Sequence, residues 1–75
     1  MNIYWLPKMN YSPKNLKKLL EEKGWILKRI KGSHHIYIYP KTGETLPVPI
    51  HGNRDMAKGT FFSILKQAGI DKDEV

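Results

Sequence analysis

The chain has 75 residues, no cysteine, and 13 lysines and arginines against 7 aspartates and glutamates, which gives a formal net charge of +6. This composition predicts one small domain without disulfides, without thiolate ligands for zinc, and without the roughly 18 consecutive apolar residues of a membrane span. We therefore expect a soluble cytoplasmic protein that contacts no membrane, and the positive charge favours nucleic acid or an acidic protein as its partner.

The first predicted element is a helix that follows an N-terminal extension, residues 1–11, in which no period is recognisable. Ser12 is a good N-cap, Pro13 suits the first helical position, and Gly24 ends the helix. Leucines spaced i, i+3 and i+4 form its apolar stripe: Leu16, Leu19 and Leu20. The chain is therefore divided into the extension and a folded domain of residues 12–75.

Two strands joined by a tight turn are predicted next, from the segments WILKRIK and HHIYIY. Gly32 between them supplies the positive φ that a short hairpin turn favours. Strict alternation in the second strand places His34 with the isoleucines on one face and His35 with the tyrosines on the other. We expect the isoleucines to face the core, which would leave His35 on the opposite, open face of the sheet.

The third predicted strand is TLPVPI, in which apolar residues alternate with Pro47 and Pro49. The N–H groups of residues i and i+2 of a strand point to the same side, so the two prolines remove two donors from one side of this strand. That side must be unpaired, and the strand therefore lies at an edge of the sheet. A final helix is predicted with Thr60 as its cap and Gly69 as its end. The order α-β-β-β-α predicts an α+β domain, with two helices packed on one face of a three-stranded antiparallel sheet.

Several kinds of active site are disfavoured by the residues present. The imidazoles are His34, His35 and His51, and because adjacent strand residues point to opposite faces, neither a metal nor another cofactor is expected. The KGT of residues 58–60 has the wrong order for a P-loop, although the N–H groups of the following helix could receive a phosphate. The chain also lacks a cysteine nucleophile and a Gly-x-Ser-x-Gly elbow.

Histidine is the remaining side chain that moves protons near neutral pH. If the basic surface binds RNA, the 2′-hydroxyl of the substrate is itself the nucleophile, and one imidazole surrounded by cations is sufficient. His35 fits this role, with Tyr37 and Tyr39 as stacking surfaces for bases. The cations expected near the phosphate are Lys28, Lys31 and Arg54. An idle, solvent-exposed histidine is the alternative interpretation.

Four segments, in order and at matching spacing, resemble the HicA family of toxins from type II toxin–antitoxin systems: LKKLLEEKGW, KGSHHIYIYP, LPVPIHG and KGTFFSILKQAGI. The resemblance covers almost everything after residue 11. It implies a double-stranded-RNA-binding-like fold and a metal-independent endoribonuclease that cleaves mRNA. It also implies a HicB antitoxin that inhibits the toxin in a hetero-oligomeric complex.

The same resemblance implies which residues act. In the family pattern Gly-Ser-x-His the active imidazole is the fourth position, which is His35 here, and His34 occupies the variable position. His35 would be the general base toward the 2′-hydroxyl or the general acid toward the leaving oxygen. The expected RNA-binding residues are the three cations named above together with the turn and strand residues Gly32, Ser33, His34 and Tyr37.

Two other functional classes remain open at this point. One is a non-catalytic double-stranded-RNA-binding module of the same fold, although such modules carry a lysine cluster at the start of the last helix, where this chain has only Lys58. The other is a protein-interaction domain that uses the open edge of the proline strand.

Overall fold

The computed structural model of the protein describes residues 10–74, so most of the predicted extension, residues 1–9, lies outside the described part. Two helices and three strands follow the predicted order: α1 (Pro13–Lys23), β1 (Ile26–Lys31), β2 (His34–Tyr39), β3 (Glu44–Pro49) and α2 (Lys58–Gln67). A short 3-10 helix, Lys72–Glu74, ends the described chain. The strands form one antiparallel sheet in the order β1-β2-β3, which confirms the predicted α+β fold.

Helix α1 has the two ends that the sequence predicts. At its start, the N–H of Asn15 donates a hydrogen bond to Oγ of Ser12. Its C-terminus closes in a Schellman motif, in which the N–H of Trp25 donates to the carbonyl of Leu20 at 2.9 Å. This motif requires a residue with positive φ, and Gly24 supplies a φ of 113°.

Replacing Gly24 by alanine is expected to destabilise the domain by about 1–2 kcal/mol, because a residue with a Cβ is strained at positive φ. The new Cβ would also lie 3.3 Å from Cε1 of Tyr39. The matched control is Gly59→Ala, at a helical position without positive φ and with no heavy atom within 4 Å of the added Cβ. There alanine should stabilise by about 0.5 kcal/mol. Urea unfolding measures both changes, and two changes of the same sign would contradict this account.

The sheet packs against the helices through its tyrosine face, which is opposite to the predicted one. Tyr37 is only 1% exposed, and its register partner on β3, Leu46, is buried with it in the core. Ile36 and Ile38 therefore lie on the face that points away from the helices, where they are half-buried. The prediction that the isoleucines face the core is wrong, because a tyrosine ring buries as well as an isoleucine and the pairing with β3 decides the face.

Strand β3 lies at one edge of the sheet, as its prolines predict. Beyond the strand, the N–H of Ile50 donates a hydrogen bond to the carbonyl of Ser33 at 2.7 Å and extends the contact with the hairpin turn. Pro47 and Pro49 leave the outer side of β3 without two N–H donors. The edge position is therefore confirmed.

Helix α2 begins two residues before the predicted cap. Ala57 occupies the cap position and no side chain caps the helix, so Thr60 is its third residue and the prediction of Thr60 as the cap is wrong. The other end agrees with the prediction. Gly69 has a φ of 78°, and the N–H of Ile70 donates to the carbonyl of Leu65 at 2.9 Å in a second Schellman motif.

Tyr11, the last residue of the predicted extension, packs against helix α2. Its ring lies edge-on to Phe61 and Phe62, with ring centroids 5.3 Å and 6.0 Å apart, and its carbonyl accepts a hydrogen bond from the N–H of Met56 at 2.9 Å. The division of the chain at residue 11 stays a prediction. Within the described residues, however, the packed part of the molecule includes Tyr11.

Candidate active site

His35 lies near the start of β2, on the face that carries the helices. Its register partners are Ile30 on β1 and Val48 on β3. Val48 is fully buried, whereas Ile30 is 58% exposed although it shares the same face. The helices therefore leave the β1 side of His35 uncovered, and the imidazole is half-buried at the border between core and solvent. The predicted position on the open face of the sheet is wrong.

The two nitrogens of the His35 ring have different surroundings. Among residues 10–74, its Nδ1 is the one buried side-chain nitrogen or oxygen that lacks a hydrogen-bond partner. The other nitrogen, Nε2, is not among the buried atoms without a partner. Because Nδ1 has neither a donor nor an acceptor beside it, no hydrogen bond selects one neutral tautomer over the other. The tautomer with its hydrogen on Nδ1 leaves the lone pair of Nε2 free to accept a proton.

The surroundings of His35 lower its pKa below the ordinary value of 6.5. Burial is the larger cause, and the positive charge of Lys17 on α1 is the second. Both disfavour the imidazolium, so the neutral ring predominates at pH 7. A neutral imidazole is the form that accepts a proton, which is what a general base does.

Tyr37 and Tyr39 share the face of His35, but they are part of the packed interior. Burial and the negative charge of Glu21 raise the pKa of Tyr37 above its ordinary value. Tyr39 is half-buried against Trp25, with ring centroids 5.2 Å apart. The prediction that Tyr37 is a stacking surface for bases is wrong, because its ring has almost no exposed surface. The same role for Tyr39 stays a prediction.

Four of the other predicted RNA-binding residues lie at the β1–β2 hairpin, beside His35. Gly32 and Ser33 form its two-residue turn, and Gly32 has the expected positive φ, of 59°. Lys31 and His34 pair across the hairpin next to the turn. Since His34 precedes His35 on the strand, its side chain and that of Lys31 lie on the face away from the helices.

The remaining two predicted cations lie farther from the imidazole along the chain. Lys28 is the extra residue at an irregularity of the β1–β2 register. Arg54 lines a groove of about 490 Å³ beside the start of α2, together with His51 and Thr60. Pro49, the register partner of His34, lines the same groove, so the groove opens at the hairpin end of the sheet.

Lys17 is the residue near His35 that sequence reasoning missed. Lysines opposite an apolar stripe usually form a solvated face, and Lys14 and Lys18 are indeed exposed. Lys17 is half-buried and follows Leu16 at the border of the apolar stripe. Lys18 also lies beside a stripe residue, Leu19, and is exposed, so the helix sequence alone contains no signal that separates Lys17 from its neighbours.

Two properties of the described chain bear on other kinds of site. Among residues 10–74, no group of three or more histidine, cysteine, aspartate or glutamate side chains is arranged to hold a metal ion. No helix in the same range is long and apolar enough to cross a membrane.

Comparison with known proteins bears on the whole domain. No curated protein matches the chain. The family model described as the HicA toxin of bacterial toxin–antitoxin systems matches residues 13–70, from the start of α1 to the residue after Gly69. This range covers most of the 75 residues and includes the hairpin with His35, which confirms the resemblance drawn from the four sequence segments. The chain therefore belongs to the HicA family of toxins from bacterial toxin–antitoxin systems.

Proposed function

We propose that this HicA-family toxin is a metal-independent endoribonuclease that cleaves mRNA, with His35 as its catalytic residue and a HicB antitoxin as its inhibitor. Family membership supports the role as a toxin. The observation that carries the chemistry is the imidazole of His35, which is held neutral at the border of the core with Nδ1 buried and the cation of Lys17 acting on it.

The proposed reaction uses the nucleophile of the RNA itself. Nε2 of His35 accepts the proton of a 2′-hydroxyl, the 2′-oxygen attacks the adjacent phosphorus, and the bond from phosphorus to the 5′-oxygen breaks. The 5′-oxygen takes a proton from solvent, so the products are a 2′,3′-cyclic phosphate and a 5′-hydroxyl. The ammonium group of Lys17 would stabilise the negative charge that develops on the phosphate oxygens.

The substrate surface that the geometry supports is the uncovered end of the sheet between α1 and the hairpin. Because Tyr37 is buried, RNA would be held there mainly through its phosphates, by Lys17, Lys31 and the turn at Gly32 and Ser33. Binding that depends on phosphates weakens steeply with salt and carries little sequence information. An antitoxin that covers this surface would bring acidic groups to it.

The lowered pKa of His35 predicts the pH dependence of cleavage. Since the base must be neutral, the rate should fall as the pH drops through a pKa that lies below 6.5. Lys17→Met removes the smaller of the two causes and should raise the pKa of His35 toward its ordinary value. An NMR titration of the His35 ring in both proteins measures the change. A pKa that stays the same or falls in Lys17→Met would contradict the electrostatic contact.

The main alternative is a non-catalytic double-stranded-RNA-binding module. Such a module grips the duplex with lysines at the start of the last helix. Here α2 begins with Lys58, Gly59 and Thr60, and the following Phe61 points into the core. Incubation with single-stranded RNA in EDTA, beside a gel shift on duplex RNA, separates the two classes. Cleavage that survives EDTA supports the endoribonuclease, and duplex binding without cleavage supports the module.

A further inference from the structure

The two edges of the sheet differ in what they offer to a partner. The outer side of β3 lacks two N–H donors because of Pro47 and Pro49. Strand β1, with the sequence ILKRIK, contains no proline, and among the described residues it pairs only with β2. Within residues 10–74 its outward N–H and C=O groups have no strand partner, so they can pair with an added strand.

The side chains of β1 are unusually apolar for an exposed edge. All six residues of the strand are exposed, and three of them are the large hydrophobic residues that the described part of the molecule leaves exposed: Ile26 at 55%, Leu27 at 40% and Ile30 at 58%. They lie on both faces of the strand, since Ile26 pairs with Ile38 and Leu27 with Tyr37. A free edge with aliphatic side chains on both faces is a template for strand addition.

The charges of β1 restrict what can occupy this edge. In the regular part of the strand Arg29 and Lys31 flank Ile30, and Lys28 lies at the register irregularity before them. A second copy of the chain would place the same three cations opposite them, which is unfavourable in a strand pair. The phosphates of RNA would pair with the cations, but RNA would leave the aliphatic side chains without an apolar partner, because they offer no ring on which a base can stack. A strand of alternating acidic and aliphatic residues satisfies both.

We propose that β1 is the docking strand for an extended segment of the antitoxin, in which acidic and aliphatic residues alternate and whose backbone pairs with the free edge. This inference rests on the proposed toxin–antitoxin role. The register irregularity at Lys28 interrupts the edge, so the regular pairing surface is the part from Arg29 to Lys31, next to the hairpin turn.

The position of this edge also provides a means of inhibition. Ile30 lies between the proposed docked strand and His35, its register partner on β2. With a spacing of about 4.8 Å between strands, the added strand runs roughly 10 Å from His35. Its side chains on the helix-carrying face would cover Ile30 and close the open side of the imidazole.

Hydrogen exchange of the unmutated protein, alone and in complex with its antitoxin, tests the backbone pairing. The expected result is slower exchange of β1 amides between Arg29 and Lys31 in the complex. A complex that forms without added protection in β1 would overturn the proposal. Protection of β1 in the free protein that increases with its concentration would also overturn it, because the occupant would then be a second copy.

Charge reversal tests the chemistry of the partner. Arg29→Glu with Lys31→Glu should weaken antitoxin binding at least about tenfold, since it places like charges across the strand pair. The matched control is Lys66→Glu with Lys72→Glu, which makes the same change in net charge at exposed positions on the α2 side. Equal losses of affinity in both double variants would contradict the docking strand. A loss of RNA binding with unchanged antitoxin binding in the β1 variant would assign the edge to RNA instead.

The test of the docking strand can fail or succeed independently of the test of the proposed reaction. Antitoxin binding at β1 by a protein that fails to cleave RNA would refute the reaction and leave the docking strand supported. Cleavage that depends on His35, together with an antitoxin that leaves β1 amides unprotected, would support the reaction and refute the docking strand.

Discussion

His35→Ala is expected to cleave RNA about 10²–10⁴-fold more slowly than the unmutated protein, the range that a positioned acid–base group contributes. No other histidine shares its surroundings, since Nδ1 of His35 is the buried side-chain nitrogen without a partner within residues 10–74. The measurement is the cleavage of labelled RNA in EDTA, with mass spectrometry of the new 3′ end. A 2′,3′-cyclic phosphate is the expected product of the unmutated protein.

The controls for this prediction come from the other two histidines. His34→Ala removes a neighbouring imidazole from the opposite face, and His51→Ala removes one from the loop before α2; both should retain cleavage. His35→Ala should still fold and bind antitoxin, because the lost ring is half-buried and its buried nitrogen makes no hydrogen bond. An inactive His34→Ala beside an active His35→Ala would refute the assignment.

Phe61→Ala is expected to lower the free energy of unfolding by about 3–5 kcal/mol, the range for removing a buried aromatic ring. Phe61 has no exposed surface, and its ring contacts those of Tyr11 and Phe62, with centroids 5.3 Å and 5.7 Å away. Domains of this kind have a total stability of only about 5–15 kcal/mol. The variant should therefore lose a large share of its stability, which urea unfolding followed by circular dichroism measures.

Phe62→Ala is the matched control, one residue along the same helix. Its ring is only half-buried, so the loss should be clearly smaller than for Phe61. Similar losses at both positions would show that the ring contacts with Tyr11, which both residues share, matter more than burial.

The ends of α1 and the edge position of β3 were predictable because single residues determine them. Ser12 and Gly24 delimit α1 through one side-chain hydrogen bond and one positive φ, and the two prolines of β3 exclude a central position in the sheet. The start of α2 was missed because Thr60 is a better cap by residue type than Ala57. The helix nevertheless begins without a side-chain cap, which residue preferences alone could not show.

The face of β2 was not predictable from that strand alone. Isoleucine and tyrosine both bury well, so strict alternation separates the two sets without saying which one is inside. The information lies in the pairing across the second turn, where Tyr39 lies opposite Glu44 and Tyr37 therefore opposite Leu46. With that register, the apolar residues of β3 and the tyrosines of β2 share the core, and His35 goes with them.

His35 is therefore still the candidate catalytic residue, although its surroundings differ from those that the sequence predicted. Sequence reasoning placed it on an open face with aromatic rings for bases. The structure instead places it at the border of the core, under the influence of a lysine from another element. Contacts between elements of this kind depend on packing, which is why Lys17 could not be named from the helix sequence.

The prolines of β3 have a consequence for how the protein assembles. A sheet that can add strands at both edges is able to grow without limit, as in fibrils. In this domain, growth beyond β3 lacks the donors that Pro47 and Pro49 would have supplied. A strand added at β1 therefore produces a finite complex rather than the first repeat of a polymer.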